Sequence, residues 1–464
     1  MTSGGDPRRS EPLRRERELR GWSQAYLAQA VGAGGPYCIS RWERGVVRPS
    51  PYYRERLCRL FGRNAEELGL IDPAQGEAVP SPDDVPGHLP APLTPLIGRA
   101  DETSRARALL RGDDVRLLTM TGPPGAGKTR LGLAVASELR RDFLDGVYFA
   151  DLASLPDPDQ VGAALHRALD LREPRENGAE EAIVSHLRER RALLVVDGFE
   201  HVRPAASMLL GLLTRCPKLR LLVTSRAALR SRGEHELLVR PLPVPDPVHP
   251  PDPELLAQVP SVALFVERAQ ARSSAFRLTP RSAAAVAAIC RRLDGLPLAL
   301  ELAAVWTTLL DPAALLARLE RRLPMLEGGA EDLPERQRTM RRALEWSYGL
   351  LAPSERLLFH RLSVFAGSAP LSAVEVVCAA GGRLERSVLH LMGRLLDENL
   401  VQCESGGGDP RVTMLETVRE YANELLRATG EARATERALA RYCASLSKAR
   451  RPDGLSSSGT YSAR

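Results

Sequence analysis

A glycine-rich octapeptide in the first third of the chain has the residue types that bind phosphate. It reads GPPGAGKT over residues 122–129, directly after the apolar run VRLLTMT and directly before the helical pattern RLGLAVASELR. Glycine lets backbone N–H groups turn inward around phosphate oxygens, and a helix that starts at such a loop points its positive end at them. The glycines in this role are Gly122, Gly125 and Gly127. A glycine-rich turn without a ligand is the alternative, and the complete order of strand, loop and helix disfavours it.

Polar residues at the end of this loop and after a later strand complete a predicted nucleotide site. Lys128 is expected to neutralise the β- and γ-phosphates, and Thr129 to coordinate Mg²⁺. The apolar run ALLVVD ends at Asp197, a carboxylate that would hold the same metal ion through water. Glu200 is a candidate to polarise the attacking water, but an acidic residue in the first turn of a helix also complements the helix dipole. The pattern predicts ATP or ADP with Mg²⁺.

A further polar group follows the next apolar strand, LRLLVTSR, which ends in Thr224, Ser225 and Arg226. Ligands of α/β folds bind at the carboxyl edge of the sheet, so Arg226 is a candidate sensor of the γ-phosphate. An exposed arginine at the end of a strand is the alternative. Neither Lys218 nor Lys448 lies in an NKxD-like element, so GTP is not expected.

These side chains require a parallel sheet to position them. Five apolar runs predict its strands, at 115–121, 146–151, 192–197, 219–226 and 235–240. A strand that ends in arginine after the strand of Asp197 is typical of P-loop ATPases in which an extra strand separates the two functional strands. The sequence therefore predicts a five-stranded α/β nucleotide domain.

Composition limits the remaining possibilities. A chain of 464 residues has room for about three domains, and 44% apolar with 26% charged residues is typical of globular proteins. The net charge of +6 is weak evidence for nucleic-acid binding, because the chain has only three lysines and its arginine bias is typical of genome composition. Seven scattered cysteines without a CxxC pair indicate neither disulfides nor zinc. We find no membrane-length apolar run and no signal sequence, and expect a cytoplasmic protein.

The N-terminal segment has the pattern of a small helical domain. Ser23 is a plausible N-cap for the helix SQAYLAQAV, and Pro36 a plausible first residue for the helix PYCISRWERG. Five residues have the spacing to bury a common core: Leu27, Ala28, Val31, Ile39 and Trp42. Four others then point elsewhere: Gln24, Tyr37, Ser40 and Arg41.

The elements GWSQAYLAQAVG and ISRWERG, within 21–49, resemble the helix-turn-helix of the phage-repressor or XRE class. The resemblance implies that Gln24 starts the helix that crosses the DNA backbone, and that Tyr37, Ser40 and Arg41 lie on the recognition helix in the major groove. It implies that Arg41 contacts guanine. A helical domain that makes only protein contacts is the alternative. The turn GAGGPY is one residue longer than the usual pattern, which affects the register of Tyr37.

Proline-rich segments divide the chain. Residues 72–95 have no helical or strand periodicity, and we interpret them as a tether that lets the N-terminal domain move independently. A second such segment at 241–253 is interpreted as a hinge connector. The tail at 456–464 has almost no apolar content and is expected to be disordered.

Four further segments narrow the family: LIGR at 96–99, GLPLA at 295–299, a long helical stretch at 340–367, and VTMLETVREYANELL at 412–426. In this order they resemble the signal-transduction ATPases with numerous domains (STAND), a group that includes NB-ARC and AfsR-like proteins. The resemblance implies a helical lid and a winged helix, and it implies that Ile97, Arg99 and Pro297 line an adenine pocket. Runs at 400–404 and 411–415 predict the hairpin of the winged helix.

The expected fold is multidomain: an all-α helix-turn-helix, an α/β P-loop NTPase with a five-stranded parallel sheet, and a helical lid with a winged-helix domain. The predicted segments are the helix-turn-helix at 10–71, the linker at 72–95, the NTPase at 96–245, the lid at 254–325, the winged helix at 332–430 and a tail at 431–464.

The chain departs from many relatives at one motif. Where they have Met-His-Asp, with the histidine on the ADP β-phosphate, this chain has Met414, Leu415 and Glu416. Leucine cannot donate that hydrogen bond, so we expect the ADP-bound state to be weaker or to be held in another way. Relatives also commonly continue into a helical-repeat sensor.

The leading hypothesis is a regulator whose ATP- or ADP-bound state controls self-association and the binding of double-stranded DNA, with slow hydrolysis as the reset. Two alternatives remain open at the level of sequence. One is a stress or phage-defence ATPase whose assembly is the output. The other is a nucleotide-binding scaffold without hydrolysis.

Overall fold

A computed structural model describes most of the chain. The described residues are 11–33, 35–45, 47–49, 51–70, 85–171, 178–247, 252–319, 326, 338–380, 382, 384–404 and 408–449. The predicted tail at 456–464 and the first part of the predicted tether lie outside them. The described residues divide into two compact units, one with the residues up to 122 and from 126 to 240, the other with 123–125 and the residues from 241 onwards. None of the described helices combines the length and apolar character needed to cross a membrane.

The N-terminal domain is a set of short helices around one apolar core. The helices are α1 (Glu11–Leu19), α2 (Gln24–Val31), α3 (Pro36–Glu43) and α4 (Pro51–Phe61). The Ser23 hydroxyl oxygen accepts the Tyr26 N–H at 3.0 Å, and Pro36 is the first residue of α3, so both predicted helix starts are confirmed. All five predicted core residues are buried, together with Leu13, Tyr53 and Leu57.

A five-stranded parallel sheet forms the centre of the nucleotide domain. Its strands are β1 (Leu117–Thr121), β2 (Val147–Asp151), β3 (Leu193–Asp197), β4 (Arg220–Thr224) and β5 (Glu234–Leu238), in the spatial order β2-β3-β4-β1-β5. The flanking helices are α5 (Ala100–Arg111), α6 (Lys128–Glu138), α7 (Val161–Ala168), α8 (Gly178–Leu187) and α9 (Ala206–Arg215). The five predicted strands are confirmed, and β4 lies between β1 and β3 as expected.

Every residue of β1 and β3 is buried, because apolar side chains cover both faces of the sheet. This explains why these strands are continuous apolar runs in the sequence rather than alternating patterns.

The second part of the predicted tether packs on this domain. Val85 is buried in the same apolar cluster as Ala106 and Val147. The Val147 N–H donates to the Pro86 carbonyl at 2.9 Å, and Arg140 Nη2 donates to the Val85 carbonyl at 3.3 Å. From Val85 onwards, therefore, the proline-rich segment belongs to the nucleotide domain, because its apolar side chains and carbonyl groups contact that domain. Local sequence periodicity does not predict such contacts.

The second unit begins with five described helices that each start at a proline. They are α10 (Pro253–Leu256), α11 (Pro260–Arg272), α12 (Pro280–Arg292), α13 (Pro297–Val305) and α14 (Pro312–Arg318), which we call the lid helices. Proline suits the first helical position because its missing N–H has no partner there and its φ angle is already helical. Aspartate or threonine caps three of these helices from the preceding position.

The rest of this unit combines helices with a small antiparallel sheet, and we call it the hairpin domain. Its elements are α15 (Met340–Gly349), α16 (Pro353–Leu362), β6 (Ala369–Pro370), α17 (Leu371–Ala379), α18 (Val388–Asp397), β7 (Gln402–Glu404), β8 (Arg411–Thr413), α19 (Glu416–Ala428) and α20 (Ala432–Ala449). The hairpin predicted from the sequence is present, with Cys403 opposite Val412, and β6 adds a third strand beside β8. The winged-helix assignment stays a prediction.

Candidate functional site

The phosphate-binding loop has the backbone that its glycines predict. Gly122, Gly125 and Gly127 have φ angles of 147°, 77° and 90°, values that residues other than glycine rarely adopt. At Gly122 a side chain is also excluded by space, since a Cβ atom there would lie 2.3 Å from the Val239 carbonyl oxygen of the neighbouring chain segment. Glycine at this position therefore lets the loop leave β1 close to the end of β5.

Lys128 is the first residue of α6, so its ammonium group lies at the start of the helix that follows the loop. Lys128 Nζ donates to the Gly122 carbonyl at 2.8 Å, which holds the side chain across the loop. The positive charge and the helix N-terminus act on the same place, and both favour an anion.

The Thr129 hydroxyl lies directly beside the carboxylate that ends β3. Thr129 Oγ1 donates to Asp197 Oδ1 at 2.7 Å, and the Asp197 side chain is buried. The two residues predicted to hold a metal ion are thus brought together from α6 and β3. A hydroxyl and a carboxylate oxygen are the hard ligands that Mg²⁺ prefers, so this pair fits the ion.

Thr224 is a member of this cluster that sequence reasoning left without a role. Its hydroxyl donates to the same Asp197 Oδ1 and accepts the Gly198 N–H at 3.0 Å. Thr224 ends β4, the strand next to β3, so its position at the carboxyl edge was the available signal. The contact orients the Asp197 carboxylate, and the Gly198 bond fixes the start of the turn that leads to Glu200.

Arg226 and Glu200 form a buried ion pair at the same edge of the sheet. Arg226 Nε lies 3.3 Å from Glu200 Oε1, and both side chains are largely shielded from solvent. The alternative interpretation of Arg226 as an exposed arginine at a strand end is therefore wrong. The structure brings together the candidate sensor and the candidate base, which the sequence placed on different elements.

Arg99 is buried and bonds to the backbone of the nucleotide domain. Its Nη2 donates to the Ala126 carbonyl at 3.0 Å and to the Arg240 carbonyl at 2.7 Å, while Nη1 pairs with Glu102. Arg99 therefore joins the phosphate-binding loop to the segment after β5. Ile97, also predicted to line the adenine pocket, is half-buried, and Pro297 is the first residue of α13 in the second unit.

The predicted recognition residues lie on α3 with different exposures. Tyr37 is 69% exposed, Ser40 and Arg41 are half-buried, and the Arg41 guanidinium lies 5.8 Å from the centre of the Tyr37 ring. Tyr37 and Arg41 are one helical turn apart, so they present an aromatic ring and a positive charge together. This combination suits a DNA surface, since arginine reads guanine and also neutralises phosphate.

Gln24 starts α2 as predicted, and its side chain is joined to the end of the recognition helix. Gln24 Nε2 donates to Glu43 Oε2 at 2.8 Å, and Glu43 also accepts Arg17 Nε at 2.5 Å and Arg17 Nη2 at 3.1 Å. Glu43 is buried, and its carboxylate raises the pKa of Arg17. A buried carboxylate that sequence reasoning overlooked thus connects α1, α2 and α3.

Family models match two parts of the chain. A model described as a helix-turn-helix matches residues 13–68, and a model described as an AAA domain matches residues 112–230. The first range covers the helical N-terminal domain, and the second covers the phosphate-binding loop with strands β1 to β4. An AAA domain with this loop implies nucleotide binding.

Three curated relatives are similar over most of the chain. An uncharacterised protein of Mycobacterium tuberculosis is 36% identical over 352 residues, which are 75% of this chain and 85% of that protein. A putative HTH-type transcriptional regulator of the same organism is 37% identical over 329 residues, 70% of this chain and 35% of the regulator. Regulatory protein AfsR of Streptomyces griseus is 29% identical over 403 residues, 81% of this chain and 37% of AfsR. The chain spans about a third of the length of these two regulators.

Solved structures give weaker likenesses. A STAND protein with a tetratricopeptide repeat sensor from Pyrococcus horikoshii is 19% identical, with 78% of this chain and 47% of that chain covered and a TM-score of 0.32. Drosophila ORC bound to DNA is 16% identical, with coverages of 77% and 97% and a TM-score of 0.34. At these TM-scores the likenesses carry no argument.

Proposed function

Since the chain belongs to the STAND class of P-loop ATPase regulators with an N-terminal XRE-type helix-turn-helix, we propose that it is a transcriptional regulator switched by ATP and ADP. In this proposal the nucleotide state controls self-association, and self-association controls binding to double-stranded DNA. One observation carries the proposal: the same chain holds a helix, α3, that exposes Tyr37, and a sheet whose carboxyl edge carries the buried Arg226–Glu200 pair and the Thr129–Asp197 contact.

The phosphate-binding loop supports the nucleotide part of the proposal. Gly122, Gly125 and Gly127 supply the backbone turn, and Lys128 supplies the cation for the β- and γ-phosphates. Thr129 and Asp197 would hold Mg²⁺, which neutralises phosphate charge when bound. Ile97, Arg99 and Pro297 are the candidates for the adenine side.

The ion pair between Arg226 and Glu200 supports the switching part. A residue shifts a conformational equilibrium only if its contacts differ between the two states. Arg226 is bonded to Glu200 in this structure. A γ-phosphate would offer the guanidinium a second anionic partner, and the departure of Arg226 would release the Glu200 carboxylate to accept a proton from water. Sensing and slow hydrolysis are coupled in this way through one side-chain contact.

The geometry of α3 supports the DNA part. Tyr37, Ser40 and Arg41 would read bases in the major groove, while Gln24 stands at the start of the helix that crosses the backbone. One helix-turn-helix covers a single half-site, and two of them read half-sites about one helical turn apart. Self-association is therefore the step that would turn weak single-domain contacts into specific binding.

A gel-shift experiment tests the proposal. The purified chain is titrated on the DNA upstream of its own gene with ADP, ATP or a slowly hydrolysed ATP analogue, and its mass in solution is measured under the same conditions. We expect a larger assembly and tighter DNA binding with ATP or the analogue than with ADP. DNA binding that is identical with all three nucleotides would contradict the switch. Assemblies that form with ATP and do not bind DNA would favour a STAND ATPase whose assembly is the output.

A further inference from the structure

The turn between α12 and α13 has an unusual backbone that places one carboxylate. Asp294 and Gly295 both have positive φ angles, of 56° and 64°. Gly295 is required here because a Cβ atom would lie 2.1 Å from the Leu242 carbonyl oxygen, and the Leu242 N–H donates to the Gly295 carbonyl at 2.9 Å. Aspartate is one of the few other residues that tolerate this conformation. The turn therefore presents the Asp294 side chain from a fixed backbone.

Helix α19 begins without a capping side chain of its own. Its N-cap residue is Leu415, which has no hydrogen-bond acceptor in its side chain, whereas N-caps are normally Ser, Thr, Asp or Asn. The first N–H groups of a helix need partners from outside the helix. At this helix, which has 13 residues, a polar partner must therefore come from another element.

Asp294 supplies that partner from the lid helices. Asp294 Oδ2 accepts the Thr417 N–H at 3.1 Å and the Thr417 hydroxyl at 3.2 Å, and Thr417 is fully buried. A carboxylate at the N-terminus of a helix also has a favourable interaction with the helix dipole. The contact joins two segments that are 123 residues apart in the chain.

We propose that Asp294 is a latch that fastens the α12–α13 turn to the start of α19, so that the lid helices and the hairpin domain move as one body while the contact is closed. The latch uses Thr417, two positions after Leu415, the residue that stands where many relatives have the histidine of Met-His-Asp. The α12–α13 turn leads directly into Pro297, the candidate adenine contact, so a displacement of Pro297 would also displace Asp294. The latch itself needs no nucleotide, although its use in switching rests on the function proposed above.

A structural role as a helix cap alone is the competing explanation, and a second substitution separates the two. Leu415→Asn would give α19 an N-cap of its own and would not restore a bond to the lid helices. Asp294→Gly removes the carboxylate and keeps the positive φ angle without strain, which Asp294→Ala would not. Thr417→Val keeps the shape of a buried side chain, removes its hydroxyl donor and serves as the second route if Asp294→Gly fails to fold.

The test is hydrogen exchange measured by mass spectrometry on the full chain without nucleotide. In Asp294→Gly we expect the amides of both 290–298 and 412–421 to exchange on the order of fivefold to tenfold faster, the factor that the loss of a helix cap gives. Thr417→Val should affect the same two segments to a smaller extent. The control is Asp311→Ala, which removes an aspartate that caps α14 locally through the Ala314 N–H at 2.8 Å and should affect α14 alone.

The double variant Asp294→Gly with Leu415→Asn decides between latch and cap. A latch predicts that 412–421 regains protection while 290–298 stays fast. Recovery of both segments, or a change confined to 412–421 in Asp294→Gly, would overturn the latch. Because these measurements contain no nucleotide, they can fail while the nucleotide switch holds, and the gel-shift experiment can fail while the latch holds.

Discussion

The guanidinium of Arg226 lies against the carboxylate of Glu200, with 3.3 Å between Nε and Oε1, where both side chains are buried at the carboxyl edge of the sheet. The candidate sensor of the γ-phosphate and the candidate activator of water therefore bind each other. In the proposed switch, opening this pair is the local change that distinguishes the two nucleotide states.

The first prediction concerns this pair. Arg226→Ala should spare ADP affinity and weaken the assembly that ATP induces, because in the proposed switch Arg226 contacts the nucleotide through the γ-phosphate alone. Glu200→Gln is the matched variant, since it weakens the same ion pair and keeps Arg226. It should preserve the ATP-induced assembly and should lower the rate of ATP hydrolysis. Calorimetry with both nucleotides and mass in solution provide the readouts. Equal loss of ADP and ATP affinity in Arg226→Ala would instead make Arg226 a general structural residue.

The second prediction concerns the phosphate-binding loop. Lys128→Ala should abolish tight binding of ATP and ADP, because it removes the cation at the start of α6, while the buried sheet stays folded. Lys218→Ala is the control, since Lys218 is an exposed lysine elsewhere in the same domain. Calorimetry on both variants, with circular dichroism as the folding check, makes the comparison. Unchanged ATP affinity in a folded Lys128→Ala protein is the result that the nucleotide-site assignment could not survive.

The third prediction concerns DNA reading. Arg41→Ala should weaken the binding free energy by about 1 to 3 kcal/mol on the specific duplex and by less on random DNA. The reason is that a single base contact contributes a larger share of the affinity for the specific duplex than of the affinity for random DNA. Arg44→Ala is the matched control, an exposed arginine three residues further along the chain. Affinities for both duplexes are measured across a salt series. If Arg41→Ala weakens both duplexes by the same factor and lowers the salt slope by about one, Arg41 binds phosphate, and Tyr37 and Ser40 become the readers.

The fourth prediction concerns the buried carboxylate of the N-terminal domain. Glu43→Ala should destabilise this domain by about 3 to 5 kcal/mol, because it leaves the largely buried Arg17 guanidinium without its main counter-charge. Glu55→Ala should have little effect, since the Arg59–Glu55 pair in α4 is solvent-exposed. Hydrogen exchange of α1 to α3 in the full chain measures both variants. Similar exchange in the two variants would mean that burial of the Arg17–Glu43 pair adds nothing.

The fifth prediction is a pH dependence of the latch. Burial is the main reason that the pKa of Asp294 is raised to about 6. Hydrogen bonds from Thr417 and from the Glu416 backbone lower this pKa in part, and the charge of Glu416 adds to its rise. In water the pKa of an aspartate is about 3.9, so the folded protein with the closed latch holds the proton more tightly than the unfolded chain does. The latch is therefore most stable at acid pH and loses stability as the pH rises through 6.

Thermal unfolding of the wild type and of Asp294→Asn across pH 5 to 8 checks this sign. Relative to the variant, the wild type should lose about 1 kcal/mol of stability between pH 5 and pH 7.5. A difference between the two proteins that stays constant with pH, or that favours the wild type at higher pH, would contradict the assignment.

Local sequence patterns were sufficient to predict the strands and helices that form the candidate site, and the residues at which they begin or end. The five strands, the loop glycines, the helix starts at Ser23 and Pro36, and the hairpin all follow from residue types over short windows. Asp197 ends strand β3 and Arg226 follows the end of strand β4 by two residues, so both were predicted at the edge where the carboxyl ends of parallel strands meet.

Partners between distant segments could not be predicted in this way. Three hydrogen-bonded contacts join residues that are 26 to 123 positions apart in the chain: Thr224 with Asp197, Arg17 with Glu43, and Asp294 with Thr417. Nothing in the local pattern around Leu415 indicates that its helix is capped from the lid. The packing of Val85 on the nucleotide domain was not predicted for a similar reason, because an irregular segment has no periodicity that indicates its contacts.

The strand order has a consequence for the synthesis of the chain. Strand β1 ends at Thr121, but its neighbours β4 and β5 begin only at Arg220 and Glu234. A ribosome that adds roughly 5 to 20 residues per second needs about 5 to 20 s to supply them, whereas the N-terminal helices close on one another through local contacts. The nascent chain therefore completes its helix-turn-helix domain well before the sheet that carries the phosphate-binding loop.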